Sequence, residues 1–213
     1  MFARTERQAL CDALAAAGPD APTLCEDWTA YDLAAHVWLR ENDPMAATGL
    51  VIKALAEQVD ARMAEVRARH PFPDLVEAIR TGPGGLSIFR LPGVDEAANI
   101  AEFFVHCEDV RRGEGTSSPR ELGQEFEDWA WKRLKLIGRA LFRRSRVAVV
   151  LEREVPGGPR PTLRVAPGPD IVTITGLPSE LMLYAFGRRS AAQVTVIGQP
   201  ATVAVLDRVD LSV

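Results

Sequence analysis

The chain has 213 residues, of which 47% are hydrophobic and 25% charged; this is enough to bury a core in one large or two small domains and excludes wholesale disorder. A formal net charge of −4 and a pI near 5.5 argue against nucleic acid as the main partner, because phosphate binding needs a dominant basic surface. No apolar run reaches the length of a membrane span, Met1–Leu10 carries Arg4, Glu6 and Arg7 instead of an apolar signal core, and the three cysteines Cys11, Cys25 and Cys107 are widely spaced; the expectation is a cytoplasmic protein with reduced thiols and no membrane partner.

Arg4–Ala17 has the pattern of an amphipathic helix, stopped by Gly18-Pro19. After a loop over Asp20–Asp27, Thr29 is a good N-cap, and Asp32 at the third helical position completes a variant of the capping box. Leu33, His36 and Val37 share a face of the helix that follows, which Asn42-Asp43-Pro44 interrupts. Helical spacing resumes over Leu55–Arg69, a short helix is expected over Phe72–Arg80, and Thr81–Pro92 is a Gly/Pro-rich loop. Val94–Arg112 is helical, with Asp95, Asn99, Glu102, His106 and Asp109 forming one polar strip beside Ile100, Phe103, Cys107 and Val110. Glu121–Phe142 is a further long helix.

The pattern changes near Ser145. Val147, Val149 and Leu151 alternate along an extended run, and Pro156-Gly157-Gly158-Pro159 supplies a turn. Leu163–Val165, Ile171–Thr175 and Val194–Ile197 are further strand candidates, Pro178–Gly187 is helical, and Ala201–Asp207 is a candidate final helix. The fold class is therefore α+β: a helical bundle over residues 1–144 and a small α+β domain over residues 145–213.

Two of the three histidines stand where a divalent metal site can be assembled. Glu102 and His106 are four apart and project from one helix face, while His36 comes from a separate, strongly apolar helix. Two imidazoles and a carboxylate leave coordination positions open, as a catalytic metal requires, and facing helices of a bundle are a known setting for such ligands. Spacing alone is equally met by a solvated face with an i,i+4 contact and by a hydrogen-bonded core histidine.

The wording of these segments is more specific. Glu26-Asp27-Trp28-Thr29-Ala30-Tyr31-Asp32-Leu33-Ala34-Ala35-His36 and Glu102-Phe103-Phe104-Val105-His106-Cys107-Glu108-Asp109-Val110-Arg111-Arg112 resemble the metal-binding DinB-like bundle of the mycothiol-dependent maleylpyruvate isomerase family. In that family a Trp-Thr-x-x-Asp-Leu-x-x-His helix gives one ligand and a Glu-x-x-x-His helix gives two. Thr175–Arg188 and Val194–Gly198 resemble its sterol-carrier-like C-terminal domain, so the likeness covers nearly the whole chain in the expected order. It implies His36, Glu102 and His106 as ligands, commonly of zinc, with nickel or another divalent ion as alternatives. It also implies mycothiol as cofactor, a small electrophilic substrate, and a C-terminal arginine near the active site, for which Arg188 is the match. A homodimer is compatible with it. The chain departs from the pattern where many relatives carry a second histidine and this one has Cys107. A neighbour on a helix is turned by about 100°, so Cys107 reads as a packing residue.

The implied activity is a metal-dependent isomerase or S-transferase in which a thiol adds to the electrophile. A metal-dependent hydrolase and a non-catalytic metal- or ligand-binding protein are the alternatives. Around the trio, Asp32 reads as a capping residue, with orientation of the His36 imidazole four residues on as the lesser reading, and Asp109 as a partner of either the His106 ring or Arg112. Cys25 reads as a structural thiol that could instead face the site, and Trp28 and Trp38 as packing residues, Trp28 also as a wall of the pocket. His70 reads as unrelated, and the basic run Lys132–Arg146 as a solvated helix face, with an anion-attracting patch as the lesser reading.

Overall fold

A computed structural model describes residues 2–25, 27–43, 56–83, 94–115, 118–155 and 157–211, with backbone alone at 56–58 and 94–98. Most of the expected loop over Thr81–Pro92, together with Leu55, the Asp95 side chain, Glu26 and Pro156, lies outside what is described. The chain divides into two compact units, Met1–Ser117 and Ser118–Val213. No helix among the described residues is long and apolar enough to cross a membrane.

The first unit is helical: α1 (Phe2–Ala17), α2 (Ala30–Asn42), α3 (Ala56–Arg69), α4 (Phe72–Thr81) and α5 (Val94–Arg112). In α1, Ala3, Leu10, Cys11 and Leu14 are buried at helical spacing, and the helix packs along α5. Gly18, at φ 83°, ends it with its N–H on the Leu14 carbonyl at 3.0 Å. Thr29 (φ −80°, ψ 168°) caps α2, and the reciprocal bonds of the capping box with Asp32 are both present. The strongly apolar run after it accounts for the burial of α2, whose Leu33, Ala34 and Val37 join Leu10, Leu14, Leu75, Ile79, Phe103 and Cys107 in one core. Through that core runs a buried ion pair. Arg7 donates to both Glu41 carboxylate oxygens at 2.6 Å and to the Ile79 carbonyl at 2.9 Å, and its guanidinium lies 4.5 Å from the centre of the Phe103 ring.

The second unit contains α6 (Gly123–Leu141), β1 (Ala148–Arg153), β2 (Thr162–Ala166), β3 (Ile171–Gly176), α7 (Pro178–Ala185), β4 (Thr195–Ile197) and α8 (Pro200–Asp207). The sheet order is β2-β1-β3-β4, with β1 antiparallel to β2, parallel to β3, and β3 antiparallel to β4. Its core combines Val149, Leu151, Val172 and Ile174 from the sheet with Leu181 and Tyr184 of α7 and Leu206 of α8. Trp131, Leu134 and Leu141 of α6 belong to that same core. This helix, placed by its sequence with the bundle, therefore packs in the second unit, and the change of pattern near residue 144 falls inside that unit rather than at its start. The 3.6-residue period identifies the buried face of a helix but not the core it meets. α7 lacks a side-chain cap of its own. Glu127 of α6 supplies one, accepting from the Ser179 N–H at 2.9 Å and from its hydroxyl at 2.8 Å.

Candidate metal centre

The candidate site lies wholly within the first unit, between α2 and α5. The capping box fixes where α2 starts, and His36 follows two turns later on the buried side, with 9% of its surface exposed. On α5, Glu102 and His106 meet as i,i+4 neighbours, with His106 Nε2 3.1 Å from Glu102 Oε1. The same carboxylate oxygen lies 3.5 Å from His36 Nε2, and the two imidazole rings stand 5.1 Å apart, nearly perpendicular at 76°. One ligand atom from each of the three residues lies within 4.8 Å of the other two.

These spacings provide a test of fit. Donors bound tetrahedrally at 2.0–2.1 Å are separated by about 3.4 Å, and the two contacts to Glu102 Oε1, 3.1 and 3.5 Å, bracket that value. Among the described residues, buried His36 Nδ1 has no hydrogen-bond partner; the other ring nitrogen, Nε2, is the one that faces Glu102. The nitrogen and oxygen donors suit zinc, nickel and similar ions, and three protein ligands leave room for a fourth. The set fits a divalent metal.

The charges are mutually tuned. Burial alone would raise the Glu102 pKa, but hydrogen bonds from His106 and His36 overcome it and hold the carboxyl well below its usual range. Burial would lower His106, yet its bonds to Asp109, Cys25 and Glu102 carry it well above the ordinary histidine value. His36 moves the other way: desolvation pulls it down, only partly opposed by Glu102. Arg40 Nε stands 3.5 Å from Glu102 Oε1, and the same guanidinium hydrogen-bonds Asn99.

Around the trio, Trp28 brings its ring within 5.0 Å of the His36 ring and so walls the site. Asp109 Oδ2 lies 2.9 Å from His106 Nδ1, while Arg112 donates to Glu108 at 2.6 Å. Asp32 caps α2 and pairs with Arg67. Cys107 is buried in the helical core, and His70 packs its ring 5.3 Å from that of Trp38. Arg188 lies in the second unit, where its guanidinium donates to the Phe186 carbonyl at 2.7 Å.

Cys25 is the residue whose place the sequence left open. Its thiol is half-buried and lies 3.3 Å from Asp109 Oδ2, and with His106 and Asp109 it forms a second convergent group. The chain signals this only weakly, because Cys25 precedes α2 in a loop and its reach depends on how that loop is seated. No family model matches the chain, and comparison with curated proteins and with solved structures finds no match.

Proposed function

We propose that the protein is a divalent-metal enzyme, with zinc the best-suited ion, that uses a low-molecular-weight thiol to isomerise or S-conjugate a small electrophile. His36, Glu102 and His106 would be the ligands. The observation that carries this reading is the clustering of their donor atoms within 4.8 Å of one another, with contacts of 3.1 and 3.5 Å about a shared carboxylate oxygen. The choice of thiol, mycothiol, and of reaction class rests on the sequence resemblance given above.

A free thiol, with a pKa of about 8.5, is mostly protonated at neutral pH, and a bound divalent ion would supply the positive charge that lowers it. The chain's own residues do the rest. Hydrogen bonds from His106 and His36, with the Arg40 charge, keep Glu102 ionised, so the set offers an anionic oxygen to a cation. Trp28, set against His36, screens that ring from water. Arg188 is the proposed anchor for a substrate carboxylate, since a guanidinium can grip both oxygens at once.

The test uses the purified full chain loaded with zinc, mycothiol and an unsaturated carboxylate electrophile. Turnover is expected only when metal and thiol are both present, and His106→Ala should abolish it. A metal-loaded protein that neither binds nor consumes mycothiol contradicts the proposal, and thiol-independent hydrolysis that needs His36 replaces it with a hydrolase.

A further inference from the structure

Asp109 lies on α5 just under one turn beyond His106 and is wholly buried. Its Oδ2 faces two side chains at once, His106 Nδ1 at 2.9 Å and Cys25 Sγ at 3.3 Å. An ionised carboxylate only accepts, so the proton on this side of the ring belongs to Nδ1. The other ring nitrogen, Nε2, then points to Glu102 and the His36 side of the site.

We infer that Asp109 is a positioning residue for the metal centre: it holds His106 with Nδ1 protonated and its plane fixed, leaving Nε2 to the ion, while Cys25 ties the preceding loop to the same carboxylate. The inference rests on the metal reading of His36, Glu102 and His106. Carboxylates that grip the outer nitrogen of a metal-binding histidine set its tautomer and raise its basicity.

The surrounding chain is built for this contact. The Leu24 N–H donates to the Asp109 backbone carbonyl at 3.0 Å. Thr23 closes the loop by donating its hydroxyl to the Trp28 carbonyl at 2.9 Å, and Asp27 takes the left-handed bend within it at φ 63°. A Cβ at Gly113 would meet the Pro22 carbonyl oxygen at 2.0 Å, so the loop can lie this close to the end of α5 only over a glycine. The loop that carries Cys25 also carries Trp28 to the His36 ring. Asp109 thereby serves both histidines, one by a direct bond and the other through the loop.

One carboxylate oxygen contacts both the thiol and the ring, an arrangement that anchors both to Asp109.

The experiment is a zinc titration of the full chain against a competing chromophoric chelator, paired with nitrogen-15 NMR of the histidine rings. Asp109→Asn, an isosteric change, is expected to weaken zinc binding about 10–100-fold. It should also shift the hydrogen-bonded Nδ1–H signal of His106, which a purely structural effect elsewhere would leave in place. Cys25→Ser should retain near-normal affinity and Cys25→Ala should lose part of it. Unchanged affinity together with an unchanged Nδ1–H signal in folded Asp109→Asn overturns the inference. If that variant does not fold, the zinc-loaded wild type decides: an Nδ1 bound to metal, or one without a hydrogen-bonded proton, overturns it. A wild type that takes up no zinc contradicts the metal reading instead; the Nδ1–H signal of the metal-free protein then tests the Asp109 contact by itself.

Discussion

Two carboxylates in the first unit, buried Glu41 on α2 and half-buried Glu102 on α5, are held in opposite ways. Glu41 sits in the fork of Arg7, with both oxygens at 2.6 Å, a bidentate pair of the kind that fixes a fold. Glu102 gathers three cationic or potentially cationic groups on one oxygen at 3.1 to 3.5 Å. A bidentate fork matches its two charges at short range. A looser cluster of groups about one oxygen is where an added cation has the most to offer, and this contrast separates the structural ion pair from the candidate centre.

The contrast predicts different consequences when each is broken. Arg7→Ala removes the guanidinium that grips both oxygens of buried Glu41, which should cost about 3–5 kcal/mol of stability, read by urea unfolding of metal-free protein. A loss below about 1 kcal/mol would mean that the fork contributes little beyond what water replaces. At the Glu102 cluster the expected signature is linkage to the ion. Zinc at a hundredfold excess over its dissociation constant should stabilise the wild type by about 2.7 kcal/mol, seen as a raised unfolding midpoint. In His106→Ala that shift should vanish; equal shifts in both proteins would show that zinc binds elsewhere.

The smallest effect sharpens the comparison from outside both sites. Hydrogen bonds from Thr29 and the Arg67 charge overcome burial and lower the Asp32 pKa. A carboxyl with a depressed folded pKa stabilises the fold above its unfolded value and loses that contribution as pH falls through the folded value. Asp32→Asn should therefore cost about 1 kcal/mol at neutral pH, with the gap to wild type closing below about pH 4. A gap that stays constant into acid would show that the capping box does not depend on the ionised carboxylate.

Much of this was legible because it is local. The i,i+4 relation of Glu102 and His106, the Thr29–Asp32 capping box and the burial of Cys107 follow from spacing along single helices, and most helix and strand ranges agree within a few residues. What escaped the sequence depends on distant partners. The pairing of Arg7 with Glu41 joins residues 34 apart, and no periodicity announces it. Cys25 reaches Asp109 across 84 residues because a loop closed by Thr23 and seated over Gly113 delivers it there. The long helix α6 displays its apolar face plainly, yet only packing reveals that the face belongs to the sheet. Spacing makes the grouping of His36 with the α5 pair one possibility among several and the resemblance makes it specific, while the structure brings the three donor atoms within 4.8 Å of one another.

The most direct test of the central claim is the metal content of the full chain, measured by elemental analysis after expression with zinc and exhaustive desalting, in wild type and in a His36→Ala/His106→Ala double variant. About one divalent ion per chain is expected in the wild type and none in the folded variant, as where three ligands hold one ion. Equal metal content in the two proteins would contradict it.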